Sequence, residues 1–220
     1  MARYRQELGL KAVLAVKQVN TTIPIKVHKK YSYKLRGLGI NHANQVWSTD
    51  ITYIKIAGGM VYMAAIIDWH SKAVLSHRIS NTMDSQLVMS VLNDALEKYP
   101  HPEIFNTDQG SQYTSEIHTK RLKDLDITIS MHPKGIWSLR SGRGKGRATD
   151  NICIERFWRS AKCERIYLNE YQTIIELTTD VDDYIEFYNH RRFHETLKYK
   201  KPMDVYQESI KLNQKKKRAS

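Results

Sequence analysis

Three acidic residues stand out in this sequence because of where they lie. Asp50 falls inside the run Trp47 to Ile54, whose other residues are mostly apolar or β-branched and typical of a strand. Asp108 follows another short strand-like run, and Glu155 lies one turn into a segment with helical periodicity. A carboxylate in a buried strand is costly unless it is paired or bound to a metal. We therefore interpret the three acids as candidates for one chemical site.

The chemistry that these acids would support depends on metal ions. If the first and fourth strands are neighbours, Asp50 and Asp108 approach each other, and a later helix brings Glu155 over both. Three hard oxygen donors would hold Mg²⁺ or Mn²⁺, and two such ions would assist an in-line displacement at phosphorus. The alternative is that each acid is an ordinary helix cap or surface group.

Basic residues follow Glu155 on the same predicted helix. Lys162 comes seven residues later, almost two turns on, so it shares a helix face with Glu155, and Arg159 lies between them. A cation beside metal-binding carboxylates would hold the DNA backbone near the site. A plain i,i+4 pair of Glu155 with Arg159, worth about 0.3–0.5 kcal/mol, is the alternative.

The pattern along the chain predicts an α/β fold with a mixed sheet flanked by helices. Three strands come first, and Gly58-Gly59 between the first two is a hairpin signal. Asp84 is placed to cap the first helix after them. The predicted order is βββαβαβαα, with strands at 47–56, 60–68, 72–80, 103–106 and 127–130, and helices from 84 to about 99, at 116–125, from 150, and at 173–191, before a basic tail.

Basic charge is concentrated outside the predicted core. The formal net charge is +12, from 35 Lys and Arg against 23 Asp and Glu. Residues 1–45 carry nine Lys or Arg against Glu7 alone, and residues 197–220 carry eight against two acids. The mildly acidic middle contains a segment, residues 131–147, with five cations and no acid. This distribution suits a protein that binds a polyanion while holding metal ions, and a solvated surface with a lysine tail is the alternative.

Composition argues against several classes of protein. The longest apolar run, residues 60–67, is far shorter than the roughly 18 residues of a membrane span, so we expect no membrane partner. Lys11 and Lys17 interrupt the weakly apolar stretch near the first Met, which argues against a secretory signal. Cys153 and Cys163 are too few for a zinc quartet or a disulfide framework, and they favour a reduced compartment.

Four blocks of the sequence resemble OrfB-type transposases of bacterial insertion sequences, which belong to the retroviral-integrase-core (DDE) superfamily. Three blocks contain the acids: Trp47-Ser-Thr-Asp-Ile-Thr-Tyr-Ile54, Thr107-Asp-Gln-Gly-Ser-Gln-Tyr-Thr-Ser115 and Asp150-Asn-Ile-Cys-Ile-Glu-Arg-Phe-Trp158. The fourth block lies within residues 167–206 and includes Tyr188-Asn189 and His194. The resemblance covers residues 28–206, with the blocks in the family's order.

The resemblance implies an RNase H-like fold and divalent-metal-dependent DNA cleavage and strand transfer during transposition. Asp50, Asp108 and Glu155 would be the catalytic, metal-binding acids, with two Mg²⁺ or Mn²⁺ ions, and Lys162 would be the basic residue that follows. The partners would be the DNA of the element's ends and of the target, bound by a homo-oligomer, and an upstream-encoded DNA-binding chain. Such a protein would act in the bacterial cytoplasm, at the nucleoid.

Further DNA-binding residues are predicted among the basic positions of these blocks and of the segment before Glu155. Besides Lys162, they are Arg159, Lys134, Arg143, Lys145, Arg147 and His194. The predicted organisation has three parts. These are a basic N-terminal arm at 1–45 that includes a remnant of a DNA-binding region, an integrase-like catalytic core at 46–166, and a C-terminal helical segment with a basic tail at 167–220.

Two features depart from the family's pattern. The family usually leaves about 35 residues between its second Asp and its Glu, whereas 46 residues separate Asp108 from Glu155. Closing the longer loop costs only about 0.2 kcal/mol more, so we expect the site to survive. The upstream helix-turn-helix is nearly absent, with a remnant expected at 4–13. Two alternatives stay open: an inactive relic that only binds DNA, and an RNase H-like nuclease that cuts without joining.

Overall fold

A computed structural model of the chain describes residues 30–131 and 151–219, with side chains as far as residue 215. Five strands form one sheet in the order β3-β2-β1-β4-β5. The first three strands are antiparallel, and β4 and β5 run parallel to β1. This is the mixed sheet that the sequence predicts, with strands β1 at Val46–Ile56, β2 at Gly59–Asp68, β3 at Val74–Ser80, β4 at Ile104–Thr107 and β5 at Thr128–Met131.

Six α-helices lie within the described ranges. They are α1 at Ser85–Lys98, α2 at Ser111–Thr114, α3 at Glu116–Lys123, α4 at Ile152–Glu164, α5 at Ile174–His190 and α6 at Pro202–Ala219. The sequence prediction was wrong about the end of the chain, where α6 occupies the stretch assigned to a basic tail. Met203 and Tyr206 are buried against the rest of the protein, so this helix is stabilised by packing that its many lysines conceal in the sequence. Helix α2 is a further short helix that the sequence did not predict.

The sheet separates two hydrophobic cores, which explains the nearly continuous apolar run of β2. Successive side chains of a strand point to opposite faces. Ala64 and Ile66 therefore pack in a core formed with α1, α3 and α6, whereas Met63, Ala65 and Ile67 pack in a core formed with α4 and α5. The strand is covered on both faces, as the sequence predicted.

Side-chain hydrogen bonds at the first turn mark where two helices begin. The Asp84 side chain accepts a hydrogen bond of 2.9 Å from the backbone N–H of Leu87 and caps α1. Helix α5 begins with a capping box, in which Thr173 and Glu176 each bond the other's backbone N–H. Both helices therefore begin where the sequence predicts.

Part of the predicted N-terminal arm packs against the sheet. Leu35 and Ala43 are buried. The backbone N–H of Lys34 donates to Ser130 Oγ at 3.1 Å, and the backbone N–H of Asn44 donates to Asp68 Oδ2 at 2.8 Å. Residues 34–44 are thus held to β2 and β5 by both apolar and polar contacts.

Several predictions concern residues outside the described ranges. These are the helix-turn-helix remnant at 4–13 and four predicted DNA-binding residues, Lys134, Arg143, Lys145 and Arg147. In the part of the chain that the structure describes, no helix is long and apolar enough to cross a membrane.

Candidate active site

The parallel pairing of β1 with β4 brings two of the three predicted acids to the same level of the sheet. Ser48 in β1 pairs with Asn106 in β4, and each strand path continues for two residues to Asp50 and Asp108. Burial raises the pKa of Asp50 to about 7, and the negative charge of Asp108 is the next largest cause. The two carboxylates therefore lie close enough for their charges to repel each other.

Helix α4 carries the third acid. Glu155 lies in the first turn of this helix, and its side chain is exposed. Its charge also raises the pKa of Asp50, by less than the charge of Asp108 does. The helix is held against β2 by a buried apolar stripe, which consists of Ile154, Phe157, Trp158 and Ala161. The structure thus brings the region of Glu155 toward the two aspartates.

Trp158 links helix α4 directly to β1. Its Nε1 donates a hydrogen bond of 3.1 Å to Asp50 Oδ2. This bond favours the ionised carboxylate and lowers its pKa, although the effect of burial is larger. The sequence predicted only a buried position for Trp158, and its spacing of three residues from Glu155 was the available signal for a role at the site.

Lys162 and Arg159 in α4 differ in how far they are buried. Lys162 is partly buried; burial lowers the pKa of its ammonium group, and the charge of Asp50 opposes this shift. Lys162 therefore lies near Asp50, and its predicted role in binding DNA stays a prediction. Arg159 is exposed on the same helix.

His194 lies in a different environment from the acids. Its Nδ1 is 3.0 Å from Thr196 Oγ1, and its ring meets the ring of Tyr188 edge-on. Burial lowers its pKa, and the nearby charges that act on it most strongly are cationic. Its predicted role in binding DNA stays a prediction.

The turn after β4 holds Asp108 in place. The backbone N–H of Gly110 donates to Asp108 Oδ1 at 2.7 Å. A Cβ atom at Gly110 would lie 2.8 Å from that same oxygen, so a larger residue would displace the carboxylate. Glycine is therefore needed here for its small size.

Tyr113 is a residue near the acids to which the sequence analysis assigned no role. Its hydroxyl lies 3.3 Å from Thr49 Oγ1 and is buried. Burial raises the pKa of Tyr113 well above its ordinary value, and the charges of Asp50 and Asp108 raise it further. Tyr113 therefore presents a neutral hydroxyl close to both carboxylates.

The chemistry of these donors fits a divalent cation. Mg²⁺ and Mn²⁺ prefer carboxylate oxygens, and a bound cation would favour the ionised form of Asp50, whose pKa is raised first by burial and then by the charge of Asp108. Within residues 30–131 and 151–219, no group of three or more His, Cys, Asp and Glu side chains is close enough to hold a metal ion. Asp50 and Asp108 are partly buried, whereas the Glu155 side chain is exposed.

Comparisons of the sequence point to one family. Residues 40–136 match the family model described as Integrase core domain, and residues 142–202 match a second model with the same description. The transposase for insertion sequence element IS904 of Lactococcus lactis subsp. lactis (strain IL1403) is 35% identical over 164 residues, which are 73% of this chain and 60% of that protein. The putative transposase InsK for IS150 of Escherichia coli (strain K12) is 30% identical over 207 residues, 90% of this chain and 66% of that protein. The chain thus spans 60–66% of the length of these curated relatives.

Comparisons of the structure identify the fold. The catalytic core domain of BIV integrase matches with a TM-score of 0.56 at 17% identity, covering 77% of this chain and 98% of that one. A chain of the simian T-cell lymphotropic virus intasome matches with a TM-score of 0.63 at 20% identity, covering 83% of this chain and 60% of that one. Retroviral integrase cores have the RNase H-like fold, so the predicted fold class is confirmed.

Proposed function

Because the chain belongs to the integrase-core family of OrfB-type insertion-sequence transposases, we propose that it cleaves DNA at the ends of an insertion sequence and joins those ends to target DNA. The observation that carries this proposal is the common level of Asp50 and Asp108 on neighbouring strands. The hydrogen bond from Trp158 to Asp50 supports it further, because it fixes the helix of the third acid beside that pair.

The three acids have distinct positions in the proposed reaction. We propose that Asp50, Asp108 and Glu155 would hold two Mg²⁺ or Mn²⁺ ions, which would activate the attacking oxygen and stabilise the leaving oxygen. Asp50 and Asp108, fixed by β1 and by the turn after β4, set the position of the scissile phosphate. Glu155 completes the ligand set from α4. Trp158 holds the Asp50 carboxylate in one orientation.

The same acids serve both proposed steps. In the first, water attacks a phosphodiester at the element's end and frees a 3′-hydroxyl. In the second, that hydroxyl attacks a phosphodiester of the target, forming one P–O bond as another breaks. Each step is an in-line displacement by an oxygen nucleophile, so neither needs a covalent enzyme–DNA intermediate. Lys162, close to Asp50, would bind a neighbouring backbone phosphate.

The proposed partners follow from the same chemistry. They are the DNA of the element's ends and of the target, further copies of this chain, and an upstream-encoded chain that would recognise the ends. One similar retroviral chain is part of an intasome, and a similar HTLV-2 integrase core is described in a dimeric form with magnesium, at a TM-score of 0.53 and 16% identity over 75% of this chain and 97% of that one. These likenesses support the proposal of an oligomer and of a metal. We place the activity in the bacterial cytoplasm, at the nucleoid.

Plasmid nicking by the purified protein tests the catalytic proposal. We expect nicking with Mg²⁺ or Mn²⁺, and we expect Asp108→Asn to reduce its rate by at least about 100-fold, because a metal ligand and a negative charge are lost together. Asp124→Asn is a matched control, since Asp124 is exposed at the end of α3. Equal nicking by the parent and by Asp108→Asn would contradict the assignment.

Two further readouts separate the remaining alternatives. Joining of a pre-cut DNA end distinguishes a transposase from an RNase H-like nuclease that cuts without joining. DNA binding without metal-dependent nicking would instead identify an inactive relic. The parent protein is expected to nick and to join.

A further inference from the structure

The segment after helix α5 forms a closed turn. His194 and Lys200 make an isolated antiparallel bridge around the 3₁₀ turn Glu195–Leu197. The backbone N–H of His194 donates to the carbonyl of Lys200 at 3.1 Å, and the N–H of Tyr199 donates to the carbonyl of His194 at 3.0 Å. We refer to residues 193–200 as the closed turn.

The closed turn holds an unusual backbone conformation. Lys198 and Tyr199 are consecutive, and both have positive φ angles, 55° and 59°. Residues other than glycine rarely adopt this left-handed backbone conformation, because their Cβ atom comes too close to the following carbonyl oxygen. Such conformations persist only where surrounding contacts fix them, and they concentrate at binding sites.

The conformation displays two aromatic rings to solvent. Phe193 is 64% exposed and Tyr199 is 69% exposed. Phe193 precedes His194 and Tyr199 precedes Lys200, so in this antiparallel pairing the two rings lie on either side of the bridge. A rigid backbone that presents exposed rings is suited to stacking on flat ligands, among them nucleic-acid bases.

Cations surround the base of the closed turn. Burial is the largest cause of the lowered pKa of His194. The positive charges of Arg192, Lys72 and Arg156 lower this pKa further. Glu164 is the acid that acts on the same ring, and Arg192 binds it at 2.6 Å. The cationic charge around His194 therefore exceeds the acidic charge.

Charges on the closed turn, together with that of Arg191 two residues before it, leave the same balance. Lys198 and Arg191 are exposed, and Lys200 binds Glu208 at 2.6 Å. Glu195 adds one exposed negative charge. The excess of cations gives the surface an affinity for phosphate groups.

Two of these cations, Lys72 and Arg156, lie at or beside the first turn of α4. Lys72 Nζ donates to Cys153 Sγ at 3.1 Å, which places it beside residues that lie just before Glu155. Arg156 directly follows Glu155 and is exposed. Lys72 and Arg156 therefore carry positive charge at or beside the first turn of α4, and both charges also act on His194 of the closed turn.

We propose that the closed turn binds unpaired DNA bases, with Phe193 and Tyr199 stacking on them and Arg156 and Lys198 contacting phosphates of the same strand. The proposal rests on the proposed function, because cleavage at an element's end creates a strand that can leave the duplex. Unpaired DNA fits this surface better than duplex DNA, since aromatic rings stack only on base faces that are open.

The test measures affinity for a short labelled oligothymidine without divalent cations, in the Asp108→Asn background, so that it does not depend on catalysis. We expect Phe193→Leu combined with Tyr199→Asn to weaken this binding by at least about tenfold. Asn tolerates the left-handed conformation while removing the ring. Affinity for a blunt duplex is expected to change less than about twofold, since phosphate contacts dominate there.

A matched control at Tyr167 and two single substitutions at Tyr199 complete the test. Tyr167 is an exposed tyrosine in the separate 3₁₀ turn Ile166–Leu168, and Tyr167→Asn is expected to leave oligothymidine binding unchanged. Tyr199→Phe keeps a ring and should bind like the parent, whereas Tyr199→Asn alone should bind more weakly. This pair decides the question if the double variant unfolds.

Either of two results overturns the proposal: unchanged oligothymidine affinity in the folded variants, or an equal loss for oligothymidine and duplex. A failure of the proposed catalytic function would give a result different from either of these two. A parent protein that does not nick plasmid, yet binds oligothymidine through these rings, contradicts the catalytic assignment and retains the binding site.

Discussion

Opposing effects act on the pKa of Asp50, whose carboxylate lies in the central strand β1. Burial and the charge of Asp108 raise its pKa to about 7, while hydrogen bonds from the Ile51 backbone and from Trp158 lower it. Selection for stability alone would replace such a group by an apolar one, because its ionised form is poorly solvated there. Groups that violate the rules of packing in this way mark functional sites, which supports the assignment of Asp50 to chemistry.

His118 is a fully buried ionisable group, and its role is structural. It packs in an aromatic cluster with Phe105 and Tyr113, at ring-centroid distances of 5.8 and 5.5 Å. Burial lowers its pKa from 6.5 to about 4, and its Nδ1 makes no hydrogen bond within the described residues. The folded protein therefore keeps this imidazole neutral.

Acid should destabilise the protein through His118. Its folded pKa is below its unfolded pKa, so its contribution to stability is complete above about pH 6.5 and is lost as the pH falls toward 4. The full loss is on the order of 3 kcal/mol. We expect His118→Phe to flatten the dependence of the unfolding free energy on pH between 7 and 5, measured by urea denaturation. An unchanged slope would contradict this account.

At the scale of elements, the side chain of Asn189 attaches helix α5 to the backbone of strand β3. The backbone N–H of Val74 in β3 donates to Asn189 Oδ1 at 2.9 Å, and Asn189 Nδ2 donates to the carbonyl of Val74 at 2.8 Å. Strand β3 lies at the edge of the sheet, where free backbone groups invite pairing with other chains. Asn189 therefore docks the helix and covers part of that edge.

Replacing Asn189 tests this attachment. Asn189→Leu leaves a buried N–H and a buried carbonyl unpaired, so we expect a loss of about 2–4 kcal/mol in the free energy of unfolding. Thr179→Ala, at an exposed position of the same helix, should change it by less than about 0.5 kcal/mol. Urea denaturation measures both, and a loss below about 1 kcal/mol for Asn189→Leu would show that water replaces the amide.

At the scale of the whole molecule, the C-terminal helix closes the fold against residues that precede the sheet. The hydroxyl of Tyr206 donates to Asn44 Oδ1 at 2.9 Å, and Ser209 Oγ accepts from the backbone N–H of Ala43 at 2.9 Å. Asn44 Oδ1 also accepts from Trp47 Nε1 at 2.9 Å. Residues about 160 positions apart in sequence therefore share one buried network, and α6 is part of the core.

Two substitutions at Tyr206 separate packing from hydrogen bonding. Tyr206→Phe removes only the hydroxyl and should cost about 1 kcal/mol, because Asn44 keeps its bond from Trp47. Tyr206→Ala also removes the buried ring and should cost about 3–5 kcal/mol. Leu212→Ala, on the exposed side of the same helix, is the control. Thermal or urea unfolding that separates the two Tyr206 variants by less than 1 kcal/mol would mean that α6 is not part of the core.

The order of the strands and helices along the chain, and which of them carry the acids, could be predicted from the sequence alone. Asp84 marked the start of α1, and the apolar run of β2 indicated a strand covered on both faces, because capping and periodicity act over a few residues. The spacing of Glu155 and Lys162 placed both on one side of α4. The acids could be proposed as one site from the sequence for the same local reason, together with the resemblance of the blocks around them.

Only the tertiary structure decided what surrounds those acids and how the chain closes. The bond between Trp158 and Asp50 joins residues 108 positions apart, and the contact of Asn189 with Val74 spans 115. Helix α6 was concealed for a related reason, since its buried residues are few among many lysines. Short periodic segments become helices or remain tails according to the surface on which they dock, and that surface exists only once the sheet has formed.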